Sequence, residues 1–143
     1  MRITRWKAVL VALVAAAASV SVAEPSWAET NPNCGSVTQI GSTAYIVIGG
    51  ATFGSVKQFK GCSKNWGYVY VWESWRNAHT NWDMCAAVGV IEGSPPYALE
   101  GLNCSYNTRK AEQWSYGTNT LSVCTRAVGA FPDKVTAQTD VRC

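Results

Sequence analysis

The chain has 143 residues, twelve Lys and Arg against nine Asp and Glu, a formal net charge of +3, and six cysteines. That length fits one domain, and a charge so near neutrality has no long-range pull on DNA or anionic lipid, which sets nucleic acid aside as a partner. With one histidine and no Cys-x-x-Cys spacing, the cysteines read as three disulfides rather than zinc ligands, and no pattern calls for a metal or a cofactor.

Arg2, Arg5 and Lys7 form a positive start, and residues 8–23 form an apolar run broken only by Ser19 and Ser21. Two small-x-small sites follow, Ser21-Val22-Ala23 and Ser26-Trp27-Ala28. This is the layout of a secretory signal peptide. Cleavage is predicted after Ala28, because Pro25 would break a helix just upstream. The run is shorter than the roughly 20 apolar residues of a membrane span. Residues 1–28 are thus expected to be removed, leaving 29–143 as one secreted domain. In that domain nine basic residues face eight acidic ones, and no second stretch is long and apolar enough for membrane insertion after cleavage.

Along the remaining chain, residues 43–48 are β-branched and aromatic and end at Gly49-Gly50, a strand followed by a turn. Residues 52–60 carry Phe53, Val56 and Phe59 and read as a second strand. Gly61 and Asn65 bracket a turn containing Cys62. In residues 66–75, Trp66, Tyr68, Tyr70 and Trp72 fall on one face of a strand, with Val69, Val71 and Glu73 on the other. Helical spacing also finds matches at Tyr68, Val71, Trp72 and Trp75, but valines and aromatics favour the strand.

Residues 83–92 form an apolar run suited to a central strand, ended by Gly93-Ser94-Pro95-Pro96. Residues 97–103 read as another strand, 104–110 as a polar surface loop, and 120–131 as a strand. Phe131-Pro132-Asp133-Lys134 is a turn with proline at its second position. From 134 to 142 apolar and polar residues alternate strictly, a half-buried strand. Seven or eight short strands with regular turns predict an all-β fold, a small antiparallel sandwich or barrel stapled by three disulfides. Cys34, Cys62, Cys85, Cys104, Cys124 and Cys143 allow fifteen pairings. The expectation is sequential: Cys34–Cys62, Cys85–Cys104 and Cys124–Cys143. Each would close about 20 residues or more and contribute about 3 kcal/mol in the chain-entropy model.

Five tryptophans remain after the leader, and four of them, Trp66, Trp72, Trp75 and Trp82, fall within seventeen residues. Rings presented on an exposed sheet face stack against the apolar faces of sugars, with Asn65, Glu73, Asn77 or Asn81 available for hydroxyl groups. The alternative is that these rings fill the core. The expected function is a non-enzymatic binding or structural module, with extracellular polysaccharide or protein as partner and Trp66, Tyr68, Tyr70, Trp72, Trp75 and Trp82 as the candidate surface.

A second reading is a protease inhibitor that offers Arg109 and Lys110 from a loop tethered at Cys104. A third is a small hydrolase, but no spacing selects a carboxylate pair among Glu73, Asp83, Glu92 and Glu100. His79 with Asp83 and a serine such as Ser74 or Ser94 lacks the glycine pattern of a nucleophile elbow. Lys57, Lys60 and Lys64 read as a solvated strand edge that discourages aggregation. Asn103-Cys104-Ser105 formally fits a glycosylation acceptor.

The stretch Gly54-Ser55-Val56 followed by Cys62-Ser63-Lys64-Asn65-Trp66 resembles small exported proteins of actinobacteria, which share a strand, a cysteine and a tryptophan four residues later. Their arginine-rich continuation is replaced here by Gly67-Tyr68-Val69-Tyr70. The resemblance implies a secreted β-domain and carries over no activity or catalytic residue.

Overall fold

The structure, a computed structural model, describes residues 28–92 and 98–143. The leader up to residue 27 and the turn at 93–96 lie outside the described residues. Among these described residues nine strands and one short helix follow in order: β1 (Ala28–Asn31), β2 (Gly35–Ile48), β3 (Ala51–Gly61), β4 (Lys64–Val71), α1 (Glu73–Ala78), β5 (Trp82–Val90), β6 (Ala98–Thr108), β7 (Glu112–Trp114), β8 (Thr125–Phe131) and β9 (Val135–Gln138). They form a five-stranded sheet ordered β1-β2-β3-β4-β7 and a four-stranded sheet ordered β6-β5-β8-β9. Every strand pairing is antiparallel.

The main core lies between the sheets. Ile46, Phe53, Val56, Val69 and Val71 of the first sheet meet Met84, Ala86 and Ala127 of the second. The sheets approach closely at Gly67, where a Cβ would collide with the Ala87 carbonyl oxygen. Gly129 of the facing sheet is likewise pressed against the Val56 and Val69 side chains. Glycine at these two positions lets the sheets meet at a separation larger residues would prevent.

Two corners join the sheets. At one, Tyr116 N donates to Gly101 O at 2.8 Å and Asn103 Nδ2 to the Trp114 carbonyl at 2.9 Å, linking β6 to the end of β7 and the segment that continues it. At the other, Ser42 donates both its backbone N–H (2.7 Å) and its hydroxyl (2.9 Å) to Asp140 Oδ1. Burial pushes the Asp140 carboxyl up, but the Ser42 bonds and the Arg142 guanidinium at 2.6 Å outweigh it and hold the group below its ordinary range.

The disulfides join Cys34 to Cys62, Cys85 to Cys104 and Cys124 to Cys143. Cys85 and Cys104 are direct cross-strand partners in the β5–β6 ladder. Three such crosslinks suit an oxidising, extracellular environment, and among the described residues no helix is long and apolar enough to cross a membrane.

Several element bounds correct the sequence reading. The strand expected over 66–75 stops at Val71, and Glu73–Ala78 forms a helical turn instead. Glu73 in its first turn and Arg76 in its last suit the helix dipole, while Trp75 anchors it by packing edge-on against Phe53 at 5.3 Å. The expected loop at 104–110 is strand as far as Thr108, because pairing with β5 continues to Trp82. The 120–131 strand begins only at Thr125. The alternating 134–142 segment leaves the ladder after Gln138 and returns as a single bridge from Arg142 to Thr125.

A candidate ligand-binding face on the five-stranded sheet

Strand alternation puts Trp66, Tyr68 and Tyr70 on the face of β4 turned away from the second sheet, while Gly67, Val69 and Val71 face it. The sheet curls on that outer side, so that Pro32 and Asn33 of the β1–β2 turn share one cleft with Glu112 and Trp114 of β7. Inside the curl lies a second core of Val37, Phe59, Trp66, Tyr68 and Trp114. Its rings touch at 5.6 Å for Phe59 and Tyr68, and at 4.4 Å for Tyr68 and Trp114. Trp66 is 4% exposed and Tyr68 2%.

The candidate row therefore divides. Trp66, Tyr68, Trp75 and Trp82 are buried: the first two in the curl, the last two in the core between the sheets. The expected exposed surface is corrected for these four, because the sheet is covered on both sides over this half and its rings are needed to fill the space. Tyr70 at 36% and Trp72 at 37% remain open.

The open pair gains a third ring that sequence reasoning missed. Tyr45 of β2, Ser55 of β3 and Tyr70 of β4 lie directly opposite one another across the sheet. Tyr45 is 53% exposed. Trp72 sits over the small Ser55, donating its Nε1–H to Ser55 Oγ at 2.9 Å, and meets Tyr45 edge-on at 5.9 Å. Arg76 of α1 holds the far side, its guanidinium 5.8 Å from the Tyr70 ring centroid and 3.2 Å from the Tyr70 hydroxyl. Tyr45 was hidden in an ordinary β-branched run. Only the β2–β3–β4 register, fixed over long sequence distance, brings it beside Tyr70.

A groove of about 390 Å³ continues from Tyr70, lined by Glu29, Ser55, Lys57, Tyr68, Tyr70 and Glu112. Tyr68 donates its hydroxyl to Glu112 Oε2 at 2.9 Å. Burial, reinforced by that bond and by the charges of Glu112 and Glu29, pushes the Tyr68 phenol far above its ordinary value, so it remains a donor. The face thus offers flat rings beside two carboxylates, a lysine and a hydroxyl. Rings and bidentate acceptors in that arrangement can stack on a pyranose and hydrogen-bond its hydroxyls.

The other candidates are placed differently. Arg109 and Lys110 are exposed, but in a short connection between β6 and β7 whose backbone is tied down: Trp82 Nε1 donates to Lys110 O at 2.9 Å, and Lys110 N to Thr108 Oγ1 at 3.2 Å. His79 stacks on Trp75 with centroids 3.8 Å apart and its Nδ1 2.9 Å from the Trp75 carbonyl. Asp83 accepts the Asn107 N–H at 2.6 Å. Glu73, Asp83, Glu92 and Glu100 sit on or beside different elements, α1, β5 and β6. Of the lysines, Lys57 lines the groove, Lys64 bonds Asn119 at 2.8 Å, and Lys60 borders a separate cavity. The Asn103 amide is engaged by the Trp114 carbonyl. Among the described residues no group of three or more His, Cys, Asp or Glu side chains is placed to hold a metal ion.

Comparison with protein-family models, with curated proteins and with solved structures finds no significant match for this chain.

Proposed function

We propose that the protein is a secreted, non-enzymatic binding module that holds extracellular polysaccharide on the outer face of the five-stranded sheet. The observation that carries this reading is the cluster of Tyr45, Tyr70 and Trp72, three large rings open to solvent, gathered around Ser55 and continuous with the Glu29–Lys57–Glu112 groove. Isolated exposed aromatics are ordinary on a protein surface, whereas a cluster positioned by sheet register, with polar groups beside it, supports a binding role. Secretion is supported by the leader-like start of the chain and by the three disulfides. The likeness to small exported actinobacterial proteins points the same way.

The inhibitor reading has less support, since Arg109 and Lys110 lie in a short, tethered connection rather than an extended loop that could thread a protease cleft.

The test is retention on insoluble cellulose, chitin and peptidoglycan, with titration of soluble oligomers followed by tryptophan emission. Trp72 is the open indole near the site, so bound sugar should change its signal. Tyr70→Ala combined with Trp72→Ala should lose retention at least tenfold while costing only about 1–2 kcal/mol of stability, so that the variant remains folded under the assay conditions. No retention on any of the three polymers and no change in emission would reject the proposal.

A further inference from the structure

A second cavity, of about 460 Å³, opens at the other end of the molecule, between β2, β3 and the segment that precedes β8. Its construction is unlike the aromatic groove. Asn65 and Thr125 contribute to its lining, and both are almost completely buried. They belong to a polar cluster inside the fold. Gln58 Nε2 donates to Thr125 Oγ1 at 2.6 Å, and Asn65 Nδ2 donates to the same oxygen at 3.3 Å and to Thr120 Oγ1 at 2.9 Å.

The cluster is not self-sufficient. Asn65 Oδ1 and Gln58 Oε1, both enclosed, receive no hydrogen bond from the protein. Thr125 Oγ1 already accepts from two amides, so its own O–H is left to donate. Buried polar atoms are nearly always satisfied, by protein or by ordered water, and an unpaired one is costly, so each open position here calls for a partner. At the cavity wall, which includes Asn65 and Thr125 but not Gln58, what is missing is one donor for Asn65 Oδ1 and one acceptor for the Thr125 hydroxyl.

The rest of the lining narrows the chemistry. Ile40, Leu121 and Val123 supply an apolar side, and Leu121 and Val123 are large side chains left open to solvent. Lys60 and Arg142 stand at the same cavity and bring positive charge, Arg142 being shared with Asp140. We infer that this cavity binds an N-acylated apolar amino acid: the amide N–H to Asn65, the amide C=O to Thr125, the side chain against Leu121 and Val123, and the carboxylate towards Lys60 and Arg142. The same chemistry occurs in a free N-acyl amino acid and at the carboxyl end of a peptide. This site is independent of the polysaccharide face.

Four probes test it by NMR titration of the intact protein: N-acetyl-leucine, its methyl ester, and the peptide Ala-Ala-Leu with a free or an amidated carboxyl end. Binding of either acid should shift the amides of Leu121, Val123 and Thr125 and the side-chain NH2 of Asn65. The ester and the amidated peptide should bind at least tenfold more weakly. The exposed-site variants Lys60→Gln and Leu121→Ser, which leave the polar cluster intact, should each weaken the acid about tenfold. Response to the tripeptide acid alone assigns the site to peptide ends, and to N-acetyl-leucine alone assigns it to free acids. Equal binding of acid and ester, shifts confined to residues outside the cavity, or no shift with any probe at millimolar concentration would overturn the inference.

Discussion

The two halves of one aromatic strand behave as different materials. At the start of β4, Trp66 and Tyr68 are enclosed by the curl of the sheet, Tyr68 touching Phe59 and Trp114, and Trp66 lying directly opposite Phe59 in the ladder. Two residues further on, Tyr70 and then Trp72 stand open beside Tyr45. All four side chains lie on the face away from the second sheet. What differs is the neighbouring chain: β7 sets the Trp114 ring against Tyr68 and the charged Glu112 opposite Tyr70, while Gly117, just beyond β7, lies against the Trp66 ring. The same residue type is therefore structural or available according to what the partner strand sets opposite it.

That contrast can be broken most severely at the closed end. Trp66→Ala empties a packed site and should lower stability by about 3–5 kcal/mol, measured by denaturant unfolding. A change below about 1 kcal/mol would mean the curl is not a core. Gly67→Ala, one residue on, points to the opposite side and drives a methyl into the Ala87 carbonyl oxygen. It should destabilise by about 3 kcal/mol, through separation of the sheets rather than through a cavity.

At the junction of the two halves, Tyr68→Phe removes the hydroxyl bound to Glu112 and should cost about 1 kcal/mol at neutral pH. Its sharper signature is in alkali. The folded phenol keeps its proton where an unfolded tyrosine loses it, so the unfolded chain binds fewer protons and stability falls as pH rises above about 10. Tyr68→Phe should flatten that decline, and an unchanged alkaline slope would show that Tyr68 is not its source. The smallest effect belongs to the open end. Trp72→Ala loses one bond to Ser55 and an edge contact with Tyr45, and should change stability by about 1 kcal/mol or less.

Sequence patterning made the β class, most strand positions, the three turns at Gly49-Gly50, Cys62-Ser63 and Pro132-Asp133, and the sequential disulfides readable. These depend on local composition, glycine and proline placement, and short loop closure. Residues 66–75 were ambiguous because the switch from strand to helix at Trp72 has no capping side chain to announce it. The start of β2 at Gly35 was missed for another reason: its first half alternates weakly and is held by β1 and β3 on either side. The candidate site was half legible. Tyr70 and Trp72 could be named from composition, but their separation from Trp66 and Tyr68 depends on β7, more than forty positions later along the chain. Tyr45, Glu29 and Glu112 enter the site only through strand pairing, which no single segment encodes.

The three sulfur bridges are nested neither within nor across one another: the first cysteine is joined to the second, the third to the fourth and the fifth to the sixth. A thread entering an oxidising compartment from its N-terminus would present the bonding partners in their native order. An oxidase acting on whichever two thiols have just emerged would thus write the correct pattern directly, with no need for an isomerase to reshuffle it.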